Sequence, residues 1–229
     1  MRALRILLVF VVILGGVFIA VDRAAVYFAE SLVADRVKVS GAEIGSTDVS
    51  IKGFPFLTQV AGSELDEVDV KISGIETSAN GRSLRINRMN AELHQVRLTN
   101  GFSGVTAARA TGTAVVSYED LTKAAGEDVA IEYGANGKVK VTGAVTLLGR
   151  TISRSVLSTV SLTDGHTVRV HADKVPGEGI PGLERMVRER TDFEREIGGL
   201  PNGLKLETIR PTAAGLEISV TGTDVALAG

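Results

Sequence analysis

The sixteen residues Ile6 to Val21 carry no charged and no polar side chain. No other stretch constrains the chain as strongly. The run falls just short of the ~17–25 residues of a membrane-spanning helix, and Leu4 extends it if Arg5 snorkels to the headgroups. Arg2 and Arg5 precede it, while Asp22 and Arg23 close it. Basic residues on the N-terminal flank stay in the cytoplasm, so everything from Asp22 on is expected outside the membrane. A signal peptide needs small residues at positions −3 and −1 of its cleavage site. Cutting after Ala20 puts Phe18 at −3, after Ala24 Asp22, and after Ala25 Arg23. Residues 1–21 are therefore expected to be a retained anchor, and 22–229 one extracytoplasmic domain, exported if the segment is cut. A core helix would not be apolar all round at the extreme N-terminus.

Composition narrows the function classes. The formal net charge of −2 gives no basic footprint for nucleic acid. Cysteine is absent, so disulfides and thiolate metal sites are excluded. Aromatics are only 4 %, without tryptophan, so a core or cavity must be built from Val, Ile, Leu and Ala.

Helical spacing continues past the apolar run, from Asp22 to Val39. Ala25, Phe28, Ala29, Leu32, Val33 and Val37 recur on one stripe, with Arg23, Glu30, Ser31, Asp35 and Lys38 largely elsewhere. Gly41 is a stop signal. From residue 46 the period becomes two: Val49 and Ile51; Val68, Val70 and Ile72; Leu84 and Ile86; Ala91 and Leu93. The phase then slips to Val96 and Leu98, as a β-bulge near His94–Gln95 would cause. Val129, Ile131 and Tyr133, Val139 and Val141, Val145 and Leu147, Val168 and Val170, and Leu216, Ile218 and Val220 continue the series. These alternations predict half-buried antiparallel strands. Asn136-Gly137 and Asp164-Gly165 predict tight hairpin turns, and Asn80-Gly81 and Asn100-Gly101 further turns. Two helices are expected to interrupt the sheet, Glu119 to Ala125 and about Gly182 to Ile197.

No constellation for catalysis or metal binding emerges. His94, His166 and His171 lack paired ligands at helical spacing. There is no GxSxG elbow, no phosphate loop and no GxGxxG opening a helix. The acidic cluster Glu64, Asp66, Glu67 and Asp69 reads as solvated charge, because calcium loops need oxygens converging from a tight turn. No catalytic residue, metal or cofactor is assigned, and the chain is read as a non-enzyme.

Gly53-Phe54-Pro55-Phe56-Leu57 stands out by placing two of the seven phenylalanines around a proline. Pro55 cannot donate to a strand ladder and belongs at an edge, bulge or strand end. The segment is either a corner plugging the end of a curved sheet or an apolar lip at a lipid entrance.

That segment, Asp48 to Val60, is followed by Gly62 and by Val68-x-Val70-x-Ile72-x-Gly74-Ile75. Near the C-terminus come Gly199-Leu-Pro-Asn-Gly-Leu-Lys-Leu206 and Gly215-Leu-x-Ile-x-Val-x-Gly222. With the N-terminal membrane segment, this resembles the LmeA-type phospholipid-binding proteins of actinobacterial cell envelopes, over roughly residues 25–226. The resemblance implies an α+β fold similar to half of a tubular lipid-binding protein. In that fold a long curved antiparallel β-sheet wraps a helix and leaves an aliphatic groove. It also implies phospholipid or a related envelope lipid as partner, a role in envelope lipid or lipoglycan assembly or transfer, and no catalytic residues.

The alternating pattern supplies the groove residues. The inward phases are Val49, Ile51, Val68, Val70, Ile72, Leu84, Ile86, Leu93, Val96 and Leu98. Phe54, Phe56 and Leu57 form the lip, and Leu183, Met186, Val187 and Phe193 close the floor. The same residues would serve an ordinary dry core, so a non-catalytic structural or partner-binding envelope domain stays open as the alternative. An enzyme of envelope glycolipid metabolism lacks its acid–base pair.

Overall fold

In the computed structural model, the described residues are 2–37, 42–79, 82–99, 104–126, 129–147, 150–174, 188, 192–197 and 200–228. The helices are α1 (Arg2–Arg36), α2 (Phe56–Ala61) and α3 (Tyr118–Ala125). The strands are β1 (Ala42–Glu43), β2 (Ser46–Lys52), β3 (Glu64–Ala79), β4 (Arg82–Thr99), β5 (Gly104–Val116), β6 (Val129–Tyr133), β7 (Val139–Leu147), β8 (Arg150–Thr163), β9 (Thr167–Ala172), β10 (Phe193–Glu196), β11 (Leu204–Thr212) and β12 (Gly215–Ala228).

The strands make two open antiparallel sheets. The larger runs β1-β3-β4-β5-β12-β11, with β2 also on β3; the smaller runs β10-β9-β8-β7-β6. The fold is α+β, as the alternation predicts. Helix and strand termini follow their local signals. Ser117 caps α3 by accepting the Asp120 N–H, and Gly126 ends that helix. Asp164 and Gly165 both take positive φ in the β8–β9 turn, as do Asn136 and Gly137 between β6 and β7. Asn80-Gly81, Asn100-Gly101 and Gly41 lie outside the described residues. Strands β5 and β11 escape the alternation, because β5 is built largely from Ala, Thr and Gly.

The long strands change phase together. Leu65 and Val68, Leu93 and Val96, Ala107 and Ala110, and Gly222 and Val225 are all buried three residues apart. The ladders skip Asp66, Gln95, Ala108 and Asp224, yet the register on either side is unchanged. The slip at Gln95 is therefore one point of a crease through four strands, not an extra residue in one. Gln95 and Asp224 make the turn with positive φ. A second crease passes Gly74, at φ 65, where Ile72 and Ile75 are both buried. Opposite it the edge breaks between β1 and β2, and the Gly45 N–H donates to the carbonyls of Ser73 and Gly74. Irregularities of this kind bend strands and raise their twist.

α1 is one unbroken helix of 35 residues. Its first half is exposed among the described residues, and its last turns lie on the seven-stranded sheet. Val26 joins Val49, Ile51, Phe56, Leu65, Val68, Leu93, Val96, Ala107, Ala110 and Val225 in the main buried cluster, with Ala25, Ala29, Ala34 and Val37 packed at its margin. This corrects the expected stripe. Phe28 and Leu32 point outward, and Glu30 turns inward. Small residues let the helix approach the sheet closely, and its inward carboxylates serve backbone N–H groups left open by the β2 edge and by the first turn of α2. Burying each large aliphatic of such a cluster contributes ~1.5–3 kcal/mol.

The expected helix from Gly182 to Ile197 is overturned at its C-terminal end. Phe193–Glu196 is strand β10, paired with Thr167–Val170 of β9. The edge of β9 satisfies its backbone, and Glu194 bonds Arg169 across the pair. Leu183, Met186 and Val187 lie outside the described residues.

Candidate functional site

The corner Gly53–Leu57 connects β2 to α2, directly beneath the point where α1 leaves its apolar run. Gly53 has φ 93, and a Cβ there would stand 2.5 Å from the Gln59 side-chain nitrogen and 2.6 Å from an Asp66 oxygen. Only glycine relaxes into that conformation without strain. The Phe54–Pro55 peptide is cis. Pro55 then precedes the first turn of α2, where its missing N–H costs nothing. The Thr58 hydroxyl donates to the Pro55 carbonyl at 2.8 Å, and Gln59 accepts the Asp66 N–H at 2.8 Å.

α1 holds this corner through two carboxylates spaced two turns apart on one face. Asp22 Oδ1 accepts the Leu57 N–H at 2.9 Å, and Glu30 Oε1 accepts the Ile51 N–H at 2.7 Å. Asp22 is completely buried, and its other oxygen takes a 2.6 Å bond from Arg23. Burial pushes the Asp22 carboxyl up, but the bonds from Arg23, Leu57 and Phe56 outweigh it and hold it below the ordinary 3.8. The Arg23 guanidinium also lies 5.3 Å from the centre of the Phe54 ring.

The three residues of the expected lip separate. Phe54 is 57 % exposed, Phe56 is 6 % exposed within the main cluster, and Leu57 is half-buried at its margin. Of the inward phases, Val49, Ile51, Val68, Leu93 and Val96 come together in that cluster, with Val70 and Leu98 packed against it. Ile72 is buried beside the second crease. Leu84 and Ile86 lie beyond that crease and are half-buried. Phe193 stands on the other sheet. The aliphatic face is thus assembled under the end of α1, and its members pack on one another and on the helix.

The smaller sheet carries a feature that sequence reasoning missed. An open pocket of 410 Å³ is lined by Arg169, Val170, His171, Asp192 and Glu194. Its polar groups are paired: His171 Nδ1 lies 2.7 Å from Asp192 Oδ2, Arg188 Nη1 stands 3.8 Å from the same oxygen, and Arg169 bonds Glu194. The expected helix across 182–197 hid it, because strand β10 brings Glu194 beside Arg169. None of the inward-phase residues lines it.

Among the described residues, the part that joins α1 to the sheet is mainly aliphatic and carries the buried carboxylate of Asp22. Its carboxylates accept backbone N–H groups, and its apolar side chains pack on one another. Leu4–Arg36 is long and apolar enough to cross a membrane. No curated protein and no solved structure matches the chain. Residues 20–221 match the family model described as LmeA-like phospholipid-binding, which covers most of the chain, from the end of the apolar run of α1 into β12; the chain belongs to that family.

Proposed function

We propose that this chain is a membrane-tethered phospholipid-binding protein. Its first helix crosses the membrane with Arg2 and Arg5 inside, and the two-sheet domain stands on the extracytoplasmic face. Acyl chains are received against the aliphatic face formed by Val49, Ile51, Val68, Val70, Leu93 and Val96. The role is in assembly or transfer of envelope lipids or lipoglycans, without catalysis. One observation carries the reading. The helix long enough to cross a membrane runs without a break into the aliphatic cluster. A lipid leaving the bilayer beside α1 reaches these side chains by parting them from the end of the helix, and each methylene then buried there contributes roughly 0.8 kcal/mol.

The test is photo-crosslinking of the full chain in its membrane with a phospholipid carrying a diazirine on the acyl chain. Crosslinks on the β3 and β4 peptides that contain Val68, Leu93 and Val96 support the reading. Crosslinks confined to Ile6–Val21 overturn it. The close packing of the cluster favours a second reading, a partner-binding domain with a solid core, which that outcome would support.

A further inference from the structure

Aromatics are only 4 % of this chain, yet beyond the apolar run Tyr27 at 70 %, Phe28 at 64 % and Phe54 stay exposed around the corner, while Tyr133 is exposed on the smaller sheet. Tyr27 and Phe28 meet edge to face with centroids 6.0 Å apart, one turn above Arg23, whose guanidinium lies over Phe54. Their height along α1 is informative. Leu4 to Val21 rises roughly 26 Å at 1.5 Å per residue, close to the ~30 Å hydrocarbon core of a bilayer. Counted from Leu4, Arg23 stands at about 29 Å and Phe28 at about 36 Å, a span that covers the edge of the ~30 Å core and the roughly 5–7 Å of polar interface beyond it. Arg23, Tyr27 and Phe28 fall in that window. Phe54 is brought to the level of Arg23 by the Asp22 bond to Leu57.

We propose that Tyr27, Phe28 and Phe54 form an interfacial collar that seats the Gly53–Leu57 corner in the headgroup layer of a phospholipid bilayer, with Arg23 as its contact to lipid phosphate. The inference rests on the membrane-tether reading and deepens it by naming where lipid meets the domain. Tyrosine concentrates at this depth, and phenylalanine on an interfacial element buries its ring at the headgroup–acyl boundary. A guanidinium has five N–H donors, so the bond to Asp22 leaves others for a phosphate oxygen. The collar accounts for large rings left out of the core on both sides of α1. It also accounts for a corner tied to the first residues beyond the apolar run. A lipid would then pass from leaflet to aliphatic face without crossing water.

The chain has no tryptophan, so a single one reports alone. The full chain carrying Phe54→Trp is reconstituted in phosphatidylglycerol–phosphatidylethanolamine vesicles, with lipids brominated near the glycerol end or near the methyl end of the acyl chain. Phe10→Trp, in the middle of the apolar run, serves as the insertion control. The expected result is blue-shifted Phe54→Trp emission, quenched more by the shallow bromines than by the deep ones. Adding Tyr27→Ser and Phe28→Ser should remove most of that quenching. A Phe54→Trp that emits as in water, beside a quenched Phe10→Trp, overturns the collar and leaves the tether standing. Both unquenched overturns the tether and the collar with it. Shallow quenching that survives the double substitution overturns the part given to Tyr27 and Phe28.

Discussion

Asp22 Oδ1 accepts the backbone N–H of Leu57 at 2.9 Å, across thirty-five positions of chain. The first residue after the apolar run is thereby fastened to the residue that ends the Phe-Pro-Phe-Leu segment. The bond carries no side-chain information from Leu57, only its N–H, so any residue but proline could stand there as donor. Asp22 is the demanding partner. Asp22→Asn keeps the oxygen acceptor and should lower the melting temperature modestly, whereas Asp22→Ala leaves buried N–H groups unanswered and should lower it far more. Thermal melts of both variants check the order. Equal losses would mean that the charge, not the acceptor, is what matters.

Acid should loosen both sheets at once. Asp22 is held below the ordinary 3.8 as described, and Asp173 is held low by bonds from Lys138 at 2.6 Å and Thr159 at 2.7 Å. A carboxyl depressed on folding contributes stability that is fully present above its unfolded value. That stability is lost as pH falls through the folded value. Stability should therefore be flat with pH above about 5 from these two groups and should fall below 3.8. Denaturant melts across that range read the slope, and Asp173→Asn should make it shallower.

Neighbouring phenylalanines should behave in opposite ways. Phe56→Ala empties part of the main cluster and should cost ~3–5 kcal/mol. Phe54→Ser removes an exposed ring and should leave stability within ~0.5 kcal/mol while weakening lipid retention. Leu57→Asp decides between the lip and plug readings of this corner. Loss of lipid with an unchanged melting temperature supports the lip, and unfolding supports the plug.

Gln95 makes its crease with φ 50, a conformation that disfavours side chains. Gln95→Gly should stabilise the domain by up to ~1 kcal/mol, provided the side chain has no other task. Chemical denaturation would detect the gain. A loss of similar size would show that Gln95 is held by contacts that outweigh the strain.

Ser158 is fully buried on β8, and its hydroxyl has no hydrogen-bond partner among the described residues. Ser158→Ala removes an unsatisfied polar group at small change in volume and should be neutral or stabilising by ~1 kcal/mol. A marked drop in the melting temperature would point to a bridging water at that position.

The alternation of Val49 with Ile51 and of Val68 with Val70 was legible because half-buried strands impose a period of two. Leu93 and Val96 likewise betrayed one crease, since large aliphatics mark the inner face on both sides of Gln95. The same crease in β5 was silent. Ala107 and Ala110 look alike whether they face the core or water. The stripe of α1 misled for a related reason. Phe28 and Leu32 outrank Ala29 and Ala34 in hydrophobicity, but close approach to the sheet selects the small residues. Hydrogen-bonding demand at the β2 edge then turns Glu30 inward, which no periodicity announces. The segment around Phe193 read as the end of an amphipathic helix, and only pairing with β9 decides for a strand.

The crease shared by β3, β4, β5 and β12 limits how this sheet can diverge. Deleting Gln95 would restore a plain alternation within β4, yet the strand above that point would fall one residue out of step with both neighbours. A single insertion or deletion in any of these four strands therefore cannot be absorbed locally. Length changes should instead accumulate in the turns, so strand lengths counted from the crease become the feature that distant relatives keep even after their side chains have been replaced.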